Sequence, residues 1–143
     1  MLRSVLSILA GIVVLTVTSF AIEAVVNPLL LWAFPHALPN AAALSSNPWA
    51  RTFMFAYGLS CVAAGGYVAA RVARRFPIRH AAVLGILQAG LTVAAMLSPA
   101  GSHASRMQWI MTALLSIPAA LAGGFLYKGT QLHEGLERAP AGS

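Results

Sequence analysis

Four long apolar stretches constrain this chain more than any other feature of its sequence. A helix needs about 20 apolar residues to cross the hydrocarbon core of a bilayer, and each stretch reaches that length. The predicted spans are residues 4–34, 48–73, 77–97 and 105–127. Only 8% of the residues are charged, against roughly 25% in a soluble domain. The sequence therefore predicts an all-α integral membrane bundle of four helices over residues 1–128, followed by a short polar cytoplasmic tail at 129–143.

The first span carries two irregularities. It follows a basic residue as a secretory signal does, but three further spans come after it, so we expect a retained helix. Pro28 removes a backbone donor and disfavours helical geometry at Asn27, which predicts a kink or an end there. The connection that follows is the longest one, and residues 41–44 within it are predicted to form one interfacial turn.

The basic residues lie mainly on one side of the predicted bundle. That side carries Arg3, Lys128, Arg138 and the four arginines between the second and third spans, and the other side carries Arg51 and Arg106. Cytoplasmic segments are enriched in Lys and Arg, so we expect a protein of the bacterial inner membrane with both termini cytoplasmic. The tryptophans agree with this topology, because Trp32, Trp49 and Trp109 all fall at outer helix ends, where aromatic belts lie.

Glu23 is the only acidic residue in a predicted span, which makes it a candidate functional residue. Asn27 shares its helix face, and Gln88 of the third span is a polar residue that could converge on it. Glu23 lies roughly 30 Å from the start of its helix at 1.5 Å per residue, and hence toward the outer side. This depth favours a structural ion pair with Arg51 or Arg106. Binding of a proton or cation, and simple interfacial exposure, remain open.

Small residues form stripes along the predicted spans, where they let helix backbones approach closely. The candidate packing residues are Gly58, Gly65, Gly66, Gly85, Gly123 and Gly124. The sequence around Gly65 also resembles that around Gly123, and Ala10-Gly11 resembles Ala89-Gly90. Either the two hairpins are a parallel repeat, or small residues recur because they are common in spans. The stripes predict packing within the bundle first and a homo-oligomer interface second.

The remaining features exclude several classes of function. A dense basic cluster, Arg71, Arg74, Arg75 and Arg79, is a candidate site for anionic lipid headgroups. The basic residues lie at helix ends rather than on one exposed face, so we expect no nucleic-acid partner. The chain has no aspartate, three glutamates and one cysteine. It lacks the parts of a carboxylate pair, a metal cage or a Ser-His-Asp triad, and we expect no enzyme activity, no cofactor and no metal.

Two resemblances bear on function. Gly65-Gly66-Tyr67 followed by Arg71 is similar to a stretch found in small four-helix bacterial inner-membrane proteins of unassigned function, which implies the architecture alone. The four spans with Glu23 in the first also resemble the small multidrug resistance transporters, in which one membrane glutamate exchanges protons for cationic drugs within a dimer. The present chain departs from that pattern in its longer first helix and its outward-displaced glutamate.

The sequence thus predicts a non-enzymatic accessory or structural membrane component, in contact with the bilayer and with itself or another membrane protein. The alternative is a proton-coupled small transporter or pore that uses Glu23.

Overall fold

A computed structural model describes residues 2–73, 75–98 and 106–137, with side chains between residues 4 and 133 of those ranges. Within these residues the chain forms five helices and no strand. They are α1 (Leu2–Ala33), α2 (Ala41–Ser46), α3 (Pro48–Ala73), α4 (Pro77–Leu97) and α5 (Arg106–Glu137). All but α2 are long and apolar enough to span a membrane, which is consistent with a multi-pass membrane protein. The predicted all-α bundle of four spans is confirmed.

Helix starts follow local chemistry. Pro48 and Pro77 are the first residues of α3 and α4, where the missing proline N–H leaves no intrahelical bond unmade. The side chain of Asn47 accepts a hydrogen bond from the backbone N–H of Trp49 at 3.1 Å. Asn40 caps α2 in the same way by accepting from Ala43 N–H at 3.1 Å. The predicted interfacial turn is therefore a short capped helix.

Two helices contain an internal proline, and α5 extends beyond its predicted end. α1 passes through Pro28 and ends at Ala33, so the break expected at Asn27-Pro28 does not end the helix. Pro28 leaves the carbonyl of Ala24 without its usual intrahelical donor. α5 likewise passes through Pro118 and runs to Glu137, so most of the segment assigned to the polar tail continues the last helix. Residues 138–143 of that tail lie outside the described residues.

The four spans pack as two antiparallel hairpins, α1 with α3 and α4 with α5, and α3 contacts all three other spans. Helices α3 and α5 run parallel. We call the end with residues 71–79 the basic end, and the opposite end the α2 end. The repeated positions do not have equivalent neighbours. Gly11 packs against Gly65, whereas a Cβ at its counterpart Gly90 would meet open space.

A small apolar cluster closes the α2 end. Leu38 is 1% exposed and packs with Leu44 of α2 and Ala50 of α3. Leu30 and Leu31 of α1 and Met54 of α3 complete this cluster. The rings of Phe34 and Trp49 meet edge to face with centroids 5.3 Å apart. The connection between α1 and α3 is therefore folded against the ends of the two helices that it joins.

Candidate functional site

Close helix contacts hold the basic half of the bundle shut. A Cβ added at Gly65 would lie 2.9 Å from the carbonyl oxygen of Gly11, and one at Gly124 would lie 2.8 Å from the Cβ of Ala81. Gly66 lies against the backbone of Ala120, and Gly123 against the backbone of Ala63. The helices cross at these points because glycine has no side chain to hold them apart. The basic half therefore has little internal space.

Two other glycines mark the limit of this packing. A Cβ at Gly85 would lie 2.9 Å from the Cα of Ile117, so α4 and α5 remain close there. The prediction that Gly58 packs against another helix is wrong, because a Cβ at that position would have no heavy atom within 4 Å. Gly58 instead lines a cavity. No neighbouring span reaches this face of α3 at Gly58, although α1 and α3 meet again nearer the α2 end around Ala50 and Met54.

Two adjoining cavities lie in the α2 half of the bundle and share part of their lining. The lateral cavity, about 360 Å³, lies between α1 and α4 and is closed on one side by Trp109 of α5. The central cavity, about 260 Å³, is lined by all four spans. The polar side chains of the central cavity are Ser19, Glu23, Tyr57, Gln88, Gln108 and Thr112. The α2 half of the bundle thus contains an open recess with polar lining, which we call the vestibule.

Glu23 and Gln88 line both cavities of the vestibule. Leu15, Ser19 and Glu23 follow one another at steps of four, which puts all three on one face of α1. The neighbouring hydroxyl of Thr92 donates to the carbonyl of Gln88 at 2.8 Å, and so is used within α4. Thr112 similarly donates to the carbonyl of Gln108 at 2.9 Å. Glu23 and the Gln88 amide are thus two of the polar groups that both cavities share.

The chain matches no known family. No protein-family model matches it, no curated protein is significantly similar, and no solved structure matches its fold. Neither resemblance drawn from the sequence gains support from these comparisons. The vestibule is therefore the feature of this chain that bears most directly on its function.

The two arginines that were candidates for an ion pair lie elsewhere. Arg51 lines a separate surface pocket of about 330 Å³ together with Met107 and Gln108. Arg106 is exposed in the first turn of α5. Among the described residues, no ion pair to Glu23 is present. Within the part of the chain that the structure describes, Glu23 thus has no arginine partner, and its side chain is exposed.

Asn27 lies one turn beyond Glu23 on α1. Its side-chain oxygen is buried, and no hydrogen-bond donor among the described residues reaches it. A buried acceptor without a partner is uncommon, because its desolvation is not offset. Asn27 is absent from the lining of both cavities, so its position does not join it to the Glu23–Gln88 pair.

Sequence reasoning overlooked two of the lining residues. Tyr57 of α3 and Gln108 of α5 line the central cavity beside Glu23. Each is a polar side chain near the α2 end of an otherwise apolar span, and that depth was the available signal. In the described residues, no three His, Cys, Asp or Glu side chains come together as a metal site would require. The chemistry of the vestibule is therefore that of a single carboxylate surrounded by amide and hydroxyl groups.

The basic cluster lies at the opposite end from the vestibule. Arg71, Arg75 and Arg79 are exposed there, and Arg74 lies outside the described residues. The guanidinium carbon of Arg79 lies 4.8 Å from the centroid of the Phe76 ring, a cation–π distance. Phe76 has a left-handed backbone (φ 53°) at the start of α4. The structure does not bring these arginines near Glu23.

Proposed function

We propose that the chain is a small membrane carrier in which Glu23 binds a proton or a cation, one at a time. The observation that carries this proposal is the position of Glu23, which lines both cavities of the vestibule next to Gln88. An ion-paired structural glutamate would instead have an arginine as its neighbour. The accessory role that the sequence favoured was predicted from the lack of evident catalytic machinery, and it stays a candidate.

Charge balance explains why one carboxylate is enough. Glu23 is exposed on a candidate membrane span, and a carboxylate that faces lipid is costly to keep as an uncompensated anion, so we expect it to bind a proton or a cation. When a cation M⁺ binds the protonated acid, the proton leaves and the carboxylate pairs with M⁺. The net charge in the vestibule is then unchanged. Proton and cation compete for one group, and this competition couples their movements.

The glycine contacts of the basic half determine which side has access. The vestibule lies in the α2 half, while backbones meet at Gly66 and Gly123 in the other half. The topology predicted from the basic residues makes the α2 side the outer side of a bacterial inner membrane, with cytoplasmic termini. On this proposal a cation binds from the outer side, and its release to the cytoplasm requires the α3–α5 contact to loosen.

A structural or accessory role is the second candidate. Its support is the tight glycine packing together with the folded cluster around Leu38. In that role the protein would act through contacts with the bilayer, another copy or another membrane protein, and the vestibule would be a packing defect.

Proton release on cation binding separates the two candidates. The purified protein, in lipid nanodiscs and weak buffer with a pH dye, is titrated with sodium, potassium and dodecylammonium chlorides. We expect at least one of these cations to release about one proton per chain, and Glu23→Gln to abolish the release. Glu134→Gln, outside the last candidate span, is the matched control and should behave as wild type.

Glu23→Asp keeps the carboxylate and shows whether a substitution at this position abolishes proton release by disrupting the fold. It should release protons with a changed cation affinity, whereas Glu23→Gln should release none while keeping the same helical content. No proton release by wild-type protein with any of the three cations, or equal release by wild type and Glu23→Gln, would refute the carrier proposal.

A further inference from the structure

We infer that the vestibule opens sideways into the bilayer between α1 and α4, and that its ligand is a membrane-resident amphiphile with an ammonium headgroup. This inference rests on the proposed function in one respect, since it takes Glu23 as the group that binds the cation. It adds the direction from which the ligand comes and the chemical class to which the ligand belongs.

The walls of the lateral cavity show where it opens. Phe20 on α1 is 69% exposed and Leu91 on α4 is 58% exposed, although both line the cavity. Both belong to candidate membrane spans, and on this inference the surface they expose faces lipid rather than water. α1 and α4 approach near the basic half, where a Cβ at Gly11 would lie 3.2 Å from Leu84. The lateral cavity lies beyond that contact, toward the α2 end.

The composition of the lateral cavity matches an amphiphile. Its apolar members, including Phe20, Leu91 and Ala95, lie on the same two helices as the polar pair Glu23 and Gln88. A small hydrated ion gains nothing from an apolar opening in hydrocarbon. The volume of about 360 Å³ lies at the lower end of ligand sites, roughly 300–1,000 Å³. A headgroup and the start of one chain fit this space, and the rest of the chain remains in the bilayer.

The charge of the vestibule selects an ammonium headgroup. Of the described residues that line the lateral and central cavities, Glu23 is the charged one. Ammonium N–H groups donate to its carboxylate, and the side-chain oxygen of Gln88 is a second acceptor on the facing helix. An anionic headgroup would place like charges together in a site of low dielectric constant. We therefore expect discrimination against phosphate-only or glycerol headgroups.

A second route is visible from the water-facing side. The surface pocket that contains Arg51 shares Phe55 and Gln108 with the central cavity. A water-soluble cation would use that route, whereas an amphiphile would enter where Phe20 and Leu91 are exposed beside Glu23. The apolar character of that opening is the reason why we favour the lipid-side route.

Tryptophan quenching tests the lateral opening directly, because Trp109 lines the lateral cavity. A parent protein with Trp32→Phe and Trp49→Phe leaves Trp109 as the single reporter. The parent protein is placed in nanodiscs with increasing fractions of lipid brominated on its acyl chains. The bromine atoms quench the fluorescence of Trp109 only at short range. One series uses brominated phosphatidylethanolamine, and the other uses brominated phosphatidylglycerol. We expect half-quenching at a severalfold lower fraction of the ethanolamine lipid.

Two further substitutions assign that preference to the lateral opening. Ala95→Phe fills the opening and should make the two lipids equivalent. Val93→Phe adds the same ring to α4 at a position that is 43% exposed and does not line the lateral cavity, so it should keep the preference. Glu23→Gln should remove the preference, because the ammonium group loses its charged partner. Equal quenching by both lipids in the parent, or an unchanged preference in Ala95→Phe, would overturn the inference.

Failure of this inference is distinguishable from failure of the carrier proposal. If the parent shows no lipid preference while Glu23→Gln still abolishes cation-driven proton release, lateral access is wrong and the carrier stands. If the lipid preference depends on Ala95 while proton release does not depend on Glu23, the lateral opening is supported and the proton-coupled carrier is overturned.

Discussion

The crossing of α3 and α5 at Gly123 gives the sharpest test of the packing. In Gly123→Ala the new Cβ would overlap the carbonyl oxygen of Ala63 and lie 2.7 Å from the backbone nitrogen of Tyr67. Both neighbours are backbone atoms of another helix, so no side chain can rotate away. Overpacking of this kind costs about 1–3 kcal/mol, and two backbone clashes place the expected loss near the upper value, about 3 kcal/mol.

Gly90→Ala is the matched control, since a Cβ there meets no heavy atom within 4 Å. Alanine favours a helix over glycine by about 0.5–1 kcal/mol, so this variant should be as stable as wild type or slightly more stable. Because both variants gain this alanine preference, they should differ by the overpacking cost alone, about 3 kcal/mol. The assay is reversible unfolding in mixed micelles of dodecylmaltoside and sodium dodecyl sulfate, followed by circular dichroism. Equal unfolding free energies for the two variants would refute the close crossing of α3 and α5.

Three further predictions concern the α2 end and the topology. Asn40→Ala removes the α2 cap and should lower the stability of that helix by about 1 kcal/mol, seen as faster hydrogen exchange in its first turn; unchanged exchange would contradict the cap. Leu38→Ala, at a residue 1% exposed, should lower the unfolding free energy by about 2–5 kcal/mol, whereas Leu97→Ala, at a residue 78% exposed, should change it little. In intact cells, an impermeant maleimide should label Ser45→Cys but not Arg75→Cys, with the parent and its buried cysteine as the blank. The reverse labelling pattern would invert the predicted topology.

Much of the fold was predictable from sequence because the bilayer imposes it. Span length depends on apolar run length, and Pro48 and Pro77 mark helix starts wherever the rest of the chain lies. Helix ends were harder to predict. Pro28 was predicted to kink or end its helix, yet α1 continues through it, as α5 continues through Pro118. Prolines are tolerated inside membrane spans, so a proline there is a weak signal for a helix end.

The candidate site was only partly predictable. Glu23 and Gln88 stood out as polar residues inside spans, and the structure brings both to the vestibule. The partner of Glu23 could not be predicted, because depth along a helix does not say which neighbour a side chain faces. Arg51 and Glu23 share the α2 half of the bundle, yet Arg51 lines a different pocket. Gly58 illustrates the same limit, since a small residue serves equally to bring helices together and to leave a cavity.

The protonation of Glu23 itself is the most direct measurement of the carrier proposal. Infrared difference spectra of the protein in nanodiscs, recorded before and after addition of the cation that releases protons, report the protonated-carboxyl band. We expect this band to decrease as the carboxylate bands rise, with both changes absent in Glu23→Gln and retained in Glu134→Gln. A spectrum without any carboxyl change, or the same change in Glu23→Gln, would contradict the assignment of Glu23 as the exchangeable carboxylate.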